Sequence, residues 1–175
     1  MKKILVYSSK TGNTKKIAES INNRIELDQF KTVKEFDVDS IATEDLIIVG
    51  GWIDKGVMNR EVMELISKIS NHKVAYFFTL GAYPTSMHAF DCVRNITAAF
   101  EANNNQVISH YHCQGAIDPK LMDWMKNLPK DHGHSPDQDR LNRWEDAAKH
   151  PNQEDFHAAE NFANMLMKKL EELNV

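Results

Sequence analysis

A short apolar run that opens into a loop of small and hydroxyl residues is the strongest constraint on the fold of this chain. The run from Ile4 to Tyr7 has the length and composition of a buried parallel strand. The loop Ser8–Thr14 follows, and a helical pattern then places Ile17 and Ile21 on one face. Free backbone N–H groups at such a helix start bind phosphate, and the hydroxyls add donors. An ordinary strand-to-helix turn has the same pattern, so this loop alone leaves both interpretations open.

Four further segments have strand character, and helical patterns separate them. The predicted strands are Thr32–Val38, Leu46–Val49 ending at Gly50-Gly51, Val74–Phe78 and Gln106–Cys113. The helices after the third and fourth strands are predicted from about Met58 to Ser70 and from about Ser86 to Ala102. Five strands alternating with helices predict an α/β fold with a doubly wound parallel sheet. Ligands of such sheets bind beyond the carboxyl ends of the strands.

The pattern changes after the fifth strand, where two short amphipathic helices are predicted before a long final one. Asp118-Pro119 begins the first, and Ser135–Gln138 forms a capping box for the second. Pro129–His134 forms the turn between them, and the final helix is predicted from about Asn152 to Leu173. We therefore predict a single domain over residues 1–175, with a helical cap inserted at about 116–150.

Charge, cysteine content and hydropathy exclude several classes of partner. The net charge of −4 gives no reason to expect a nucleic-acid partner. Cys92 and Cys113 form neither a C-x-x-C motif nor a disulfide framework, which suits a reducing compartment. The first apolar run is too short for a signal peptide or a membrane span. We therefore expect a cytoplasmic protein with no nucleic-acid or membrane partner.

The first loop resembles that of the flavodoxin family, which carries a Thr-Gly-x-Thr pattern around the phosphate of FMN. Here the pattern is Thr11-Gly12-Asn13-Thr14. The resemblance implies a flavodoxin-like sheet with strand order 2-1-3-4-5. It implies phosphate binding by the residues Ser9, Lys10, Thr11, Gly12, Asn13 and Thr14.

Two later loops extend the resemblance, because flavodoxins hold the flavin ring with loops after the third and fourth strands. Gly51-Trp52-Ile53-Asp54 looks like the first ring loop, which bears an aromatic residue. Thr79-Leu80-Gly81-Ala82-Tyr83 looks like the second, whose backbone N–H groups meet the pyrimidine edge. The resemblance implies that the residues Gly51, Trp52, Ile53, Asp54, Thr79, Leu80, Gly81, Tyr83 and Gln114 contact FMN. Either aromatic, taken singly, is equally well explained by packing.

Two departures from electron-shuttle flavodoxins stand out. Shuttle proteins crowd carboxylates around the ring, whereas the segment from Leu80 to His88 contains none and Asp54 has Lys55 beside it. Shuttle proteins also commonly have a glycine after the loop aromatic, so that a peptide can flip toward the one-electron-reduced flavin. This chain has Ile53 there, whose branched Cβ resists positive φ, unless Gly56 takes that role.

The cap carries Trp124 and Trp144, and a turn that contains His132 and His134. Together with the loop Thr79–Pro84 and the run His112–Ala116, the capped end looks like that of flavodoxin-like proteins of anaerobic haem utilisation. An apolar roof with a histidine at its turn suits haem ligated by one imidazole, although packing of the cap explains about half of these residues equally well. The resemblance implies that His134 ligates the iron, with His132 as the alternate. Zinc lacks support, since no cysteine pair or H-x-x-x-H spacing is present.

Three functions fit these patterns. The resemblance implies an FMN-dependent enzyme that binds haem and reduces a haem-derived linear tetrapyrrole by hydride transfer, with the chemistry carried by the cofactor and no catalytic side chain. Its implied partners are a haem-degrading enzyme and a flavin-reducing protein. The alternatives are an electron-transfer flavodoxin, for which an acidic docking face is expected, and a haem carrier without catalysis of its own.

Overall fold

Five parallel strands form the centre of the computed structural model, which describes residues 1–42, 45–133 and 135–173. The parallel strands are β1 (Lys3–Tyr7), β2 (Gln29–Thr32), β3 (Leu46–Asp54), β5 (Lys73–Leu80) and β6 (Gln106–Gln114). Their order in the sheet is β2-β1-β3-β5-β6, and β4 (Val57–Met58) pairs antiparallel with the end of β3. The predicted doubly wound sheet with order 2-1-3-4-5 is therefore confirmed.

Helices cover both faces of the sheet, as parallel strands require. The helices are α1 (Asn13–Asn22), α2 (Arg60–Ile66), α3 (Met87–Glu101), α4 (Pro119–Lys126), α5 (Gln138–Ala147) and α6 (Gln153–Leu173). One buried cluster joins the sheet to α2 and α3, through side chains such as Val62 and Ile96. A second joins the opposite face to α1 and α6, through Ile17, Ala163 and Leu166. Both faces of the sheet are therefore buried, which fixes the positions of the loops at the carboxyl ends of its strands.

The second strand differs from the prediction of Thr32–Val38. It occupies Gln29–Thr32, where it pairs in parallel with Ile4–Tyr7. The chain then turns, because the carboxylate of Glu35 accepts hydrogen bonds from both the backbone N–H and the hydroxyl of Thr32. The strand was predicted as a polar edge strand; it does lie at the edge of the sheet, but this local carboxylate contact turns the chain within the predicted segment.

The third strand does not end at Gly50-Gly51 but continues to Asp54. The glycines act within the strand, since a Cβ at Gly50 would overlap the ring of Phe77 in the neighbouring strand. Lys55 (φ 51°) and Gly56 (φ 83°) then turn the chain into β4. Consecutive positive φ values of this kind match the twist of an antiparallel hairpin.

Two helices begin later in the chain than predicted, and one of them also ends earlier. Helix α2 begins at Arg60 rather than Met58, because β4 uses Met58, and it ends at Ile66 in a tighter turn that still buries Ile69. Helix α5 is capped by Asp137, whose carboxylate accepts from the N–H of Arg140 at 2.8 Å. The predicted capping box at Ser135 is therefore wrong by two residues.

Helices α4 and α5 lie between β6 and α6 in the chain. The segment that carries them leaves and rejoins the core at one place, since the N–H of Ala116 donates to the carbonyl of His150 at 2.9 Å. The N–H of Gly115 donates to the carbonyl of Leu80, which fixes the departure point against β5. No helix within residues 1–42, 45–133 and 135–173 has the length and apolar character needed to cross a membrane.

Candidate functional site

A cleft of about 520 Å³ lies at the carboxyl edge of the sheet, between the strand-end loops and the cap. The loops contribute Lys10, Thr11, Asn13, Thr14, Trp52, Ile53, Thr79, Leu80, Gly81, Ala82, Tyr83, Ser86, His88, Gly115, Ala116, Ile117 and Asp118. The cap contributes Leu121, Met125, Arg140, Arg143 and Trp144. The cleft lies where open α/β sheets bind their ligands.

The first loop is built to hold an anion. Gly12, with φ 95°, immediately precedes α1, so the loop turns sharply into the helix. The first N–H groups of a helix have no partner within the helix, and the positive end of the helix dipole lies there. The hydroxyl of Ser9 accepts the N–H of Lys15 at 3.2 Å, which leaves the earlier N–H groups for a ligand. Phosphate is the anion that such a loop suits.

The two threonines of this loop differ in role. Thr11 is exposed beside the cleft, whereas Thr14 is only 1% exposed. The Thr14 hydroxyl lies 3.0 Å from the hydroxyl of Thr79, so it joins the first loop to the end of β5. Thr14 therefore supports the loop from below as well as lining the cleft.

Thr11→Ala should weaken FMN binding by about 1–3 kcal/mol, the usual size of a hydrogen bond to a charged group. It should leave the free energy of unfolding of the apoprotein unchanged, because the side chain is exposed. Thr14→Ala should weaken FMN binding and also destabilise the apoprotein by about 1 kcal/mol, since it removes a buried hydrogen bond. Titration of each apoprotein with FMN, together with urea unfolding, separates the two roles. Unchanged affinity in both variants would remove this loop from the site.

Two contacts join the first loop to the beginning of the cap. The side-chain amide of Asn13 donates to the carbonyl of Ala116 at 2.9 Å. Lys10 Nζ lies 2.9 Å from a carboxylate oxygen of Asp118, the residue that caps α4, and 5.7 Å from the ring centre of Trp52. The Lys10 hydrogen bond holds the pKa of Asp118 below its ordinary value. The phosphate loop and the cap are thus directly connected.

The first ring loop is a strand rather than an irregular loop. Ile53 pairs with Met58 and Asp54 with Val57 across the β3–β4 hairpin. The N–H of Trp52 donates to the side-chain oxygen of Asn59 at 3.3 Å. Trp52 and Ile53 therefore face the cleft from an ordered backbone, while Asp54 is exposed on the hairpin.

The second ring loop is fixed from both sides. The hydroxyl of Tyr83 donates to a carboxylate oxygen of Asp146 on α5 at 2.8 Å, which raises the pKa of Tyr83. Beneath the loop, the buried side-chain amide of Gln114 donates to the carbonyl of Gly81 at 3.4 Å. A Cβ at Gly81 would lie 2.8 Å from Ile117, so a larger residue would separate this loop from the cap. The loop is consequently held between β6 and α5.

Comparison with known proteins decides the family. A sequence profile of the flavodoxin domain matches residues 4–164. The chain belongs to the flavodoxin family. It is 32% identical to the flavodoxin-like domain-containing protein BilS of Clostridioides difficile (strain CD3), over 97% of this chain and 98% of that protein.

Solved structures share the fold at low sequence identity. Oxidised flavodoxin 2 from Bacillus cereus has a TM-score of 0.61 at 15% identity, covering 97% of this chain and 99% of that chain. A flavodoxin from the domain Archaea has a TM-score of 0.58 at 17% identity, covering 98% of this chain and 99% of that chain. Membership of the flavodoxin family supports FMN as the cofactor and a redox role for the chain.

The structure brings most of the predicted site residues of this flavodoxin-family chain to one cleft. Those that line it are Lys10, Thr11, Asn13, Thr14, Trp52, Ile53, Thr79, Leu80, Gly81 and Tyr83. The other predicted residues support these or flank them: Ser9 and Gly12 shape the phosphate loop, Gly51 and Asp54 lie in β3, and Gln114 holds Gly81. Contact between FMN and any of these residues, lining or supporting, stays a prediction.

Sequence reasoning missed Arg140 and Arg143, which face this flavodoxin cleft from α5. They stand three residues apart in a polar segment, and a charged stripe on a short helix usually faces solvent. The available signal was Trp144, whose burial requires that this side of α5 face the core. Ile117 was also missed, because it lies outside any periodic segment.

The predicted iron ligand of this flavodoxin-like chain, His134, lies outside the described residues. The alternate, His132, is exposed in the turn between α4 and α5, where its carbonyl accepts the N–H of Ser135 at 2.8 Å. Within the described ranges, His132 is not among the residues that line the cleft. His88 does line it, 3.7 Å from the sulfur of Cys92. In the same ranges no group of three or more His, Cys, Asp or Glu side chains could hold a metal ion.

Proposed function

We propose that this chain is an FMN-dependent reductase that holds a haem-derived tetrapyrrole under its cap, and that haem binds in the same cleft. One observation carries the proposal: a single cleft is lined both by the strand-end loops that bind FMN in the flavodoxin family and by apolar side chains of the cap. A flat apolar ligand lying under Leu121, Met125 and Trp144 would therefore be beside the flavin.

The residues at the sheet edge fit FMN. The start of α1 offers N–H donors to a phosphate, and the loop before it offers the Thr11 hydroxyl, while Trp52 and Tyr83 line the space available to a planar ring. Bound FMN supplies a two-electron reduction, which is what removal of one double bond from a linear tetrapyrrole requires. The protein would orient the two ligands, and the proton that completes the reduction would come from solvent, so no side chain is assigned as an acid or base.

The cap fits the tetrapyrrole. Trp144 is 5% exposed and anchors α5, and the Tyr83–Asp146 hydrogen bond ties the helix to the ring loop. Leu121 is 46% exposed although it is large and apolar, and it borders the cleft. An exposed apolar side chain at the edge of a cleft is typical of a surface that a ligand covers. A haem-degrading enzyme would supply the linear tetrapyrrole, and a flavin-reducing partner would supply the electrons.

Anaerobic mixing tests the reaction. FMN-loaded protein is photoreduced and mixed with biliverdin, a linear tetrapyrrole, and absorbance follows both compounds. We expect reoxidation of the flavin with loss of one equivalent of biliverdin absorption per flavin. Reduced free FMN at the same concentration is the control. Equal rates with and without the protein would mean that the chain is an electron-transfer module or a haem carrier rather than a reductase.

His134→Ala should change the coordination of bound haem more than its occupancy. The apolar contacts of the cleft remain, and burial at roughly 25 cal/mol per Å² can retain so large a ligand. The Soret and visible bands of the haem complex should therefore shift, while the FMN spectrum is preserved. His132→Ala is the matched control, because His132 and His134 lie on either side of Gly133 in the sequence. Altered bands only in His132→Ala would transfer the ligand role to His132, and unchanged bands in both would remove it from this turn.

A further inference from the structure

Two arginines on α5 line the cap side of the cleft, and the proposed function does not yet assign them a role in binding. Arg140 and Arg143 are three residues apart, which places them on one face of the helix. Both are partly buried and both line the cleft. Within residues 1–42, 45–133 and 135–173, neither guanidinium has a carboxylate within ion-pair distance, whereas Arg24, Arg60 and Arg94 all do. A partly buried charge without a partner favours an anionic ligand.

Contacts on the same face of α5 as the arginines fix the orientation of the helix. Trp144 and Ala147 are buried, and Asp146 binds both the hydroxyl of Tyr83 and the amine of Lys149. Asp146 makes these two contacts, and among the described residues it forms no ion pair with Arg143. The arginines are therefore presented to the cleft by an anchored helix.

The phosphate of FMN is not the anion that we assign to these arginines. The start of α1 provides its own donors for that phosphate. Arg143 lies by the second ring loop instead, near enough to Tyr83 for its charge to act on the phenol. The neighbouring wall from α4 is apolar, formed by Leu121 and Met125. This part of the cleft thus combines an apolar surface with two positive charges.

We propose that Arg140 and Arg143 bind the two propionate carboxylates of the tetrapyrrole, and so set which edge of its ring system faces the flavin. The inference rests on the proposed function. Cyclic and linear tetrapyrroles made from haem both carry two propionates on an otherwise apolar, flat body. Guanidinium groups bind carboxylates through paired, charge-assisted hydrogen bonds, which fix direction as well as position. A lysine pair would supply charge without that geometry.

The test compares a dicarboxylic probe with its ester on the FMN-loaded protein. Protoporphyrin IX and its dimethyl ester have the same ring, but only the former carries the charges. Each is titrated into wild type, an Arg140→Gln/Arg143→Gln double variant, and Arg60→Gln as a control whose side chain is exposed and pairs with Glu64. We expect the double variant to lose roughly tenfold or more in affinity per arginine for the acid. Its affinity for the ester, and both affinities of Arg60→Gln, should match wild type.

Salt provides a second measurement that does not depend on the variants. Sodium chloride should weaken binding of the acid by the wild type and leave the ester unaffected, since only the acid binds through charge. Equal affinity of wild type for acid and ester would overturn the arginine assignment and leave the reductase proposal standing. Failure of the wild type to bind either probe would overturn both.

Discussion

Replacing Gly50 by alanine is expected to lower the free energy of unfolding by about 3 kcal/mol, the upper range for overpacking a core. The added Cβ would overlap the ring of Phe77, which is fully buried and cannot move aside without displacing its neighbours. Gly50 also pairs with Tyr7 on its other side, so β3 has no room to shift. Urea unfolding of the apoprotein, followed by circular dichroism, measures the loss.

Gly133→Ala is the control for this prediction. Nothing lies within 4 Å of a Cβ at Gly133, which has no positive φ of the kind found at Gly12. Its substitution should change the free energy of unfolding by no more than about 0.5 kcal/mol. A Gly50→Ala protein as stable as wild type would mean that the contact between β3 and β5 is looser than the structure shows.

Reduction of the FMN complex is expected to pass from the oxidised to the fully reduced flavin with little one-electron-reduced form. Ile53 is held in an antiparallel hairpin with Met58, so its peptide is not free to rotate toward the flavin. Gly56 cannot take that role, because it occupies the tip of the hairpin and its carbonyl accepts from Asn95 at 3.2 Å.

The charges around the cleft act in the same direction. Among the described residues that line it, Asp118 is the one carboxylate, and Lys10 pairs with it. Arg140 and Arg143 add positive charge, which favours the anionic, fully reduced flavin. Stepwise photoreduction in the absence of oxygen should therefore show no long-wavelength band of a neutral flavin radical.

A variant makes this prediction sharper. Ile53→Gly restores the backbone freedom that shuttle flavodoxins have at this position, and it should increase the radical band at half reduction. Val57→Ala, in the same hairpin but absent from the described lining of the cleft, serves as the control. A stable blue radical in the wild-type protein at half reduction would return the chain to the electron-shuttle class.

The sheet was predictable from sequence because its central strands are continuous apolar runs. Leu46–Val49 and Val74–Phe78 are buried on both faces, and no other element fits so short and apolar a segment. The edge strand β2 and the end of β3 were harder to predict from sequence. The chain turns at Glu35 within the predicted second strand. Gly50-Gly51 looked like a strand end, whereas Phe77 crowds Gly50 and the side chains of Met58 and Asn59 crowd Gly51. Local patterns carry no information on such tertiary contacts.

The site shows the same division. It was predictable that these three loops meet at one cleft, because the carboxyl ends of parallel strands lie at one edge of the sheet. The roles of individual residues were not predictable. Thr14 was predicted to bind phosphate, but its hydroxyl also supports the loop through Thr79, and the side chain of Gln114 donates to the carbonyl of Gly81. Arg140 and Arg143 required the orientation of α5, which depends on a hydrogen bond between Tyr83 and Asp146, residues 63 positions apart.

The hydrogen bond between Ala116 and His150 bears on how a cap of this kind can arise. Because the segment between them begins and ends at adjacent points, its presence places no demand on the spacing of β6 and α6. A flavodoxin sheet could acquire the whole segment in one insertion, and closing a longer loop at a fixed pair of ends adds little entropic cost. The segment can therefore vary in length without moving β6 or α6, provided that contacts to the loops below, such as Lys10–Asp118 and Tyr83–Asp146, are kept.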